Sequence, residues 1–114
     1  MSSYAIAQKS DLHKPRLMRK WLTTKVEIHD QETKEVSRSK EDGEILEFRE
    51  KGDYWMNGKE AGTWRLTKDK KHIEVYIFRE QRKVRGTILE LTKNKLTLMI
   101  TDGQFVSTVY FKPL

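Results

Sequence analysis

Residues 95–112 read KLTLMITDGQFVSTVYFK, two runs of alternating apolar and polar residues that meet at the pair Asp102-Gly103. Strict alternation places successive side chains on opposite faces of an extended chain, and it predicts β-strands over residues 95–101 and 104–112. Asp-Gly pairs favour the tight turn of a two-residue hairpin, because the residues at its centre need positive φ. This stretch therefore predicts an antiparallel hairpin.

The same combination of alternation and turn residues recurs from Leu17 onward. Turn-forming residues follow at short intervals, at Asp42-Gly43, Gly52, Asn57-Gly58 and Asn94. Between them the pattern predicts further strands over residues 18–29, 44–50, 53–57, 61–67, 72–80 and 82–92. The links are too short for parallel crossovers, so neighbouring strands are antiparallel. The sequence thus predicts an all-β fold, an antiparallel up-and-down meander of about eight strands. The charged segment 30–42 is predicted as a solvated loop or a hairpin extension.

The strands are expected to form one closed domain. An eight-stranded sheet with one apolar face either closes or leaves exposed edges that invite aggregation, so we expect a small barrel over residues 17–114. With 114 residues the chain has room for a single core. Pro15 interrupts any longer helix, and residues 1–16 are predicted to form an irregular or briefly helical N-terminal arm.

Apolar residues that share a phase identify the face pointing into the barrel. In the first strand this set is Leu22, Val26 and Ile28, and in the seventh it is Leu96, Leu98 and Ile100. Mixed phases after Gly86 predict a bulge in the sixth strand. The interior of eight strands holds either a side-chain core or one small ligand beside it. A small apolar ligand would contact large side chains of the inner face, and the candidate ligand-binding residues are Phe48, Tyr54, Trp64, Leu66, Val75 and Leu98. The same residues would serve as a plain core, so a filled structural barrel without ligand is an alternative.

Several short motifs resemble those of the small lipocalin-like proteins found widely in Bacteroidetes. They are LMRKWLT at residues 17–23, GTWRL at residues 62–66, TILELT at residues 87–92 and the following KLTL at residues 95–98. The resemblance implies that the meander closes into a small lipocalin-like barrel. By analogy with lipocalins it also implies a noncatalytic protein that binds a small hydrophobic or amphipathic molecule.

The charge distribution supplies a second functional hypothesis. The chain has 23 Lys plus Arg against 17 Asp plus Glu, a net charge of +6. Four of the cations fall in one predicted hairpin, Arg79, Arg82, Lys83 and Arg85, beside the outward-pointing Tyr76 and Phe78. Cations and aromatic rings on one face can contact phosphates and stack bases, so this hairpin is a candidate surface for an acidic protein or, less favoured, nucleic acid. The exposed aromatics also allow a weak homodimer as well as a monomer.

Other classes of function find no support in the sequence. The absence of cysteine excludes disulfides and thiolate chemistry. His13, His29 and His72 lack the spacing of a metal site, and no nucleophile elbow or phosphate-binding loop occurs, so we expect no enzyme activity, metal or cofactor. No segment is apolar and long enough to span a membrane, and residues 1–9 lack the pattern of a signal peptide. A cytoplasmic location is expected, although an exported mature fragment would look the same.

Overall fold

Strands dominate the computed structural model, which describes residues 13–40 and 43–114. In chain order these ranges contain α1 (His13–Leu17), β1 (Lys20–Asp30), β2 (Val36–Lys40), β3 (Ile45–Phe48), β4 (Asp53–Met56), β5 (Lys59–Leu66), β6 (His72–Ile77), β7 (Arg82–Leu91), β8 (Leu96–Asp102) and β9 (Phe105–Pro113). No helix within them is long and apolar enough to cross a membrane. The first twelve residues of the predicted N-terminal arm lie outside the described part of the chain.

Eight of the strands close into an antiparallel barrel. Pairing follows chain order from β3 to β9, β1 pairs with β3, and the pairing of β9 with β1 completes the circle. Every pair is antiparallel, as the short links between strands require. The predicted fold class, an antiparallel meander closed into a small barrel, is confirmed.

The ninth strand, β2, lies in the charged segment for which the sequence left a loop or a hairpin extension open. The first residues of β1 pair with β3, whereas Lys25–His29 of β1 pair with β2 on the same edge. Asp30 stabilises the turn between β1 and β2, because its Oδ1 accepts hydrogen bonds from the amides of Glu32 and Thr33, at 2.9 and 3.2 Å. The segment is therefore a hairpin extension. The sequence pattern did not identify this strand, because residues 31–38 are all exposed. Alternation of apolar and polar residues identifies only strands that are buried on one face.

The turns use positive φ where the sequence places Asn and Gly, with one shift. Asn57 and Gly58 have φ of 52° and 80°, the combination of a type I′ hairpin turn. At the last hairpin Asp102 is instead paired with Phe105, and the loop consists of Gly103 and Gln104. Only Gly103 has positive φ there, as in a type II′ turn. The predicted hairpin is correct and its turn lies one residue later.

Bulges change the phase of three strands, β1, β5 and β7, and the bulge in β5 lies at Ala61, between the residues that pair with Tyr54 and Trp55. The register of β7 shifts between Ile88 and Glu90, which confirms the predicted bulge. A second shift, between Thr23 and Lys25 of β1, was not predicted. Trp21 and Thr23 are buried before this bulge, and Leu22 therefore points outward, contrary to its prediction as an inner residue. Val26 and Ile28 return to the inner face after the bulge, as predicted, since an inserted residue reverses the alternation.

Helix α1 lies across one end of the barrel. Leu17 at its end is completely buried, and its carbonyl oxygen accepts a hydrogen bond of 3.1 Å from Trp21 Nε1. Just after the helix, Arg19 Nη1 donates to the carbonyl oxygen of Lys93 in the turn between β7 and β8. Pro15 is tolerated because the first turn of a helix has no partner for its backbone nitrogen. Within the described ranges no helix covers the opposite end, where the turns after β1, β6 and β8 lie, and we call this the open end.

Candidate functional site

The half of the barrel next to α1 is filled by a tight core. Its buried hydrophobic residues are Leu17, Trp21, Phe48, Tyr54, Trp64, Ile73, Leu96, Leu98 and Phe111. The Phe48 ring stands 5.6 Å from Tyr54 and 5.3 Å from Trp64 between ring centroids, distances typical of favourable aromatic pairs. Trp64 Nε1 donates a 2.8 Å hydrogen bond to the carbonyl oxygen of Arg49. These side chains pack against each other and form a floor inside the barrel.

The structure brings all six candidate ligand-binding residues to the inner face, but at different depths. Phe48, Trp64 and Leu98 keep 5% exposure or less, and Tyr54 keeps 6%. Leu66 and Val75 are half-buried and pack against the same core. The three aromatic residues form one cluster, in which each ring is already covered by its neighbours. Their assignment as ligand-binding residues remains a prediction.

Above this floor the inner face stays apolar while its side chains become more exposed. Val26 and Ile28 of β1 lie opposite Val109 and Ser107 of β9, which in turn face Leu98 and Ile100 of β8. Val26 and Ile100 are half-buried, whereas Ile28 is 37% exposed. Phe105 lies in phase with Val109 and Phe111 and is 45% exposed. The open end therefore presents an accessible apolar surface on the inner side of β1, β8 and β9, which we call the inner apolar face.

Phe105 and Val109 are the members of the inner apolar face that the sequence pattern did not select. The signal was present, because residues 105, 107, 109 and 111 share one phase of an uninterrupted alternation. It was weakened by Ser107 in the middle of that row. Val26, Ile28 and Ile100 were predicted to point inward, and the pairing of the strands confirms this.

Paired charges form the rim of the open end. Arg82 Nε donates to Glu80 Oε1 at 2.9 Å, and Arg82 Nη2 lies 3.5 Å from Asp102 Oδ2. On the other side of β9 from Asp102, Gln104 Nε2 donates to both carboxylate oxygens of Asp30, at 3.2 and 3.1 Å. Burial raises the pKa of Asp30, but hydrogen bonds from the turn amides and from Gln104 outweigh it and lower the pKa overall. These hydrogen bonds favour the ionised form of the Asp30 carboxylate.

The four cations of the second hypothesis do not share one face. The side chain of Arg82 lies in the inward row of β7, opposite Ile77, and is engaged by two carboxylates at the rim. Lys83 and Arg85 lie in the outward row, opposite Tyr76 and Glu74. Arg79 is exposed in the turn after β6. Two of the four cations thus remain beside the exposed aromatics, where Tyr76 and Phe78 are 38% and 47% exposed with ring centroids 6.0 Å apart.

A hydrogen-bonded cluster on the outer face anchors β2 to the barrel. Glu27 of β1 accepts a 2.7 Å hydrogen bond from Arg38 Nε of β2 and a 2.9 Å hydrogen bond from the Tyr110 hydroxyl of β9. The bond from Arg38 and then that from Tyr110 lower the pKa of Glu27, and the same contact raises the pKa of Tyr110. The Lys25 ammonium lies 4.3 Å from the centre of the Tyr110 ring. This cluster connects three strands, which gives it a structural role.

Grooves on the outer face are lined by polar and apolar side chains together. One of about 430 Å³ lies between the end of β1 and the outer rows of β8 and β9, around His29, Met99 and Val106. Another of about 480 Å³ lies beside Trp55, whose ring is already covered by the Arg49 guanidinium at 3.7 Å. In the ranges that the structure describes, no three His, Asp or Glu side chains converge as metal ligands. The inner apolar face is therefore the stronger candidate site.

The barrel is similar to a known fold. It matches the crystal structure of a lipocalin-like protein from Bacteroides uniformis ATCC 8492 with a TM-score of 0.62 and 14% sequence identity, over 87% of this chain and 99% of that chain. No protein-family model matches the sequence, and no curated protein matches it either. The similarity confirms a lipocalin-like fold. At this level of identity it describes the architecture of the chain, and the function has to be argued from the site.

Proposed function

We propose that this chain, with its lipocalin-like barrel, is a noncatalytic binding module that takes a small apolar or amphipathic molecule at the open end. The ligand would lie on the inner apolar face, above the aromatic floor. In this arrangement the barrel supplies a rigid apolar wall, and the charges of the rim stay in contact with water. The face is mostly apolar and has a few polar groups at its rim, as small-molecule sites usually do.

One observation carries the proposal, namely that Ile28 and Phe105 are 37% and 45% exposed although they point to the inner side of the barrel. Exposure on the same face falls toward the floor, since Val26 and Val109 are half-buried and Phe111 is 5% exposed. Apolar surface left in contact with water costs free energy, and a ligand that covers this surface recovers about 25 cal/mol per Å². An unfilled inner face of this kind favours a binding module over a filled structural barrel.

A fluorescence titration with N-phenyl-1-naphthylamine tests the proposal. This neutral apolar probe becomes brighter when it leaves water, and binding at the inner apolar face is expected to give a saturable increase. Ile28→Asp should weaken binding, since it places a charge on that face. Val36→Asp is the matched control, because Val36 is 43% exposed and lies on the outer row of β2, opposite His29. No saturable increase with the unchanged protein, or equal losses in the two variants, would contradict the proposal.

A second candidate function is binding of an anionic partner through Tyr76, Phe78, Lys83 and Arg85. The observation in its favour is the pair of exposed aromatic rings beside two outward cations. Against it, Glu74 lies in the same outward rows, paired with Arg65 at 2.5 Å and opposite Arg85. If this candidate holds, single-stranded DNA should bind with an affinity that falls steeply as salt rises. No binding at low salt would remove its nucleic-acid form.

A further inference from the structure

The inward row of β9 contains a polar residue, Ser107, among large apolar ones. Phe105, Val109 and Phe111 share its phase, and β9 pairs with β8 without a register shift. Because side chains alternate strictly along an unbroken strand, the side chain of Ser107 points to the inner side of the barrel. It is half-buried there. Ser107 therefore offers a hydroxyl at a position where the rest of its row offers apolar surface.

Two isoleucines of the neighbouring strands flank Ser107. It lies opposite Ile28 of β1 and Ile100 of β8, and the three side chains form one inward row across the sheet. Ile100 leans towards β7, since its Cγ1 would lie 3.6 Å from a Cβ placed on Gly86. On the other side Ile28 is 37% exposed. The hydroxyl of Ser107 thus lies at the centre of the inner apolar face, with apolar side chains on both sides.

The backbone at this level is already engaged in the sheet. β9 is paired on both sides, with β1 and with β8, and β8 is paired with β7 at Ile100. β1 is paired with β2 and β9 at Ile28. The amide and carbonyl groups of strands paired on both sides bond to the neighbouring strands. A ligand on this row therefore has to form its hydrogen bond with a side chain, and of the three side chains only that of Ser107 can form one.

Charged side chains belong to the rim, one inward row above Ser107. In that row Phe105 lies between Asp30 and Asp102, two residues along the strand from Ser107, which corresponds to about 7 Å. Asp102 lies 3.5 Å from Arg82, and Asp30 accepts hydrogen bonds from its own turn. The row of Ser107 itself carries no charge. An ionic group of a ligand at this level would leave water without gaining a partner of opposite charge, which is costly.

We propose that the ligand carries a neutral hydrogen-bonding group, a hydroxyl or a carbonyl, between two apolar parts, and that this group binds the hydroxyl of Ser107. This inference rests on the proposed function and names the class of ligand for the same site. One apolar part covers Val26 and Val109 below Ser107, and the other covers Phe105 above it. A serine hydroxyl both donates and accepts, so it suits either group. A single polar group in an apolar site fixes the orientation of the ligand.

Four probes with the same pair of phenyl rings test this class at pH 7, because they differ only in the group on the central carbon. They are diphenylmethane, diphenylmethanol, diphenylacetate and aminodiphenylmethane. Displacement of N-phenyl-1-naphthylamine from the unchanged protein gives their affinities. Diphenylmethanol is expected to bind at least about tenfold more tightly than either ion. An ion that binds as tightly as diphenylmethanol would overturn the inference and leave the proposed function intact. Failure of the fluorescent probe and of all four compounds to bind would overturn both.

Substitutions of Ser107 assign the hydrogen bond to its hydroxyl. Ser107→Ala should raise the Kd for diphenylmethanol about twofold to tenfold, the range of one hydrogen bond, without raising the Kd for diphenylmethane. Ser107→Thr keeps a hydroxyl and should preserve the affinity for diphenylmethanol.

Thr108→Ala is the matched control, since Thr108 carries the neighbouring hydroxyl and points outward, opposite Glu27 and Met99. It should change neither Kd. If Ser107→Ala changes both Kd values by the same factor, or changes neither, the hydroxyl of Ser107 does not bind the ligand and the inference is refuted.

Discussion

Replacing Phe105 by serine separates ligand binding from folding. Phe105 is 45% exposed at the open end and lies in phase with Val109 and Phe111 on the inner side of β9. The buried part of its side chain contributes to folding, and the exposed part is available to a ligand. Phe105→Ser is therefore expected to weaken the binding of a neutral apolar ligand in addition to a moderate loss of stability.

The exposed area sets the size of the effect on binding. A Phe side chain presents roughly 200 Å², so 45% exposure leaves about 90 Å² for a ligand to cover. At ~25 cal/mol per Å² complete coverage is worth about 2 kcal/mol, which corresponds to a rise in Kd of up to ~30-fold. The buried remainder gives a loss of folding free energy of similar size, about 2 to 3 kcal/mol. A domain with a typical stability of about 5 to 15 kcal/mol stays folded after such a loss.

Phe78 provides a matched control for this experiment. It is 47% exposed, nearly the same as Phe105, but it pairs with Tyr76 on the outer face. Phe78→Ser should lower the free energy of unfolding in urea about as much as Phe105→Ser and leave the Kd for 1-dodecanol unchanged in isothermal titration. If both variants change the Kd equally, or if neither does, the ligand does not lie on the inner apolar face.

Two further predictions concern the fold. A Cβ on Gly62 would collide with the carbonyl oxygen of Tyr76 on the neighbouring strand, so Gly62→Ala should lower the free energy of unfolding in urea by about 3 kcal/mol. Gly58→Ala, which meets open space but has φ of 80°, should cost about 1 kcal/mol, and equal losses would contradict this explanation. The hydrogen bond from Thr67 is the main cause that lowers the pKa of Asp69 to about 2, from its ordinary value of 3.8. Because the folded-state pKa is the lower one, this carboxylate stabilises the fold above about pH 4, and the contribution is lost as the pH falls to about 2. Acid unfolding should accordingly be less steep in Asp69→Asn, and an unchanged profile would show that the bond does not matter.

Most of the barrel could be predicted because its signals are local. Alternation placed the eight barrel strands, and Asn57-Gly58 has the turn that this pair favours. The phase of β1 could not be predicted, because the bulge after Thr23 depends on how β1 fits β9 and has no Gly or Pro to mark it. β2 was missed as a strand for a related reason. Its backbone pairs with β1 on one side, and the side chains of residues 36–38 are exposed, so these residues form no apolar face that a sequence pattern could reveal.

The candidate site was predictable only in part. Phase correctly placed Val26, Ile28 and Ile100 on the inner side, but depth along the barrel is a property of the closed structure. The large aromatic residues named as ligand-binding candidates consequently lie in the floor, where Phe48 and Trp64 cover each other. Likewise, four cations near each other in sequence were divided between two faces by the alternation of β7 and by the ion pairs of Arg82.

The most direct test of the binding site is a methyl NMR titration of the isoleucine-labelled protein with 1-dodecanol. Ile28, Ile77 and Ile100 lie on the inner side towards the open end, and Ile45 lies in the outward row of β3, opposite Leu22. We expect saturable shifts of the three inner methyl groups with one common Kd and no shift of Ile45. Shifts confined to Ile45 or spread evenly over all isoleucines, or no shift at all, would contradict binding at the inner apolar face.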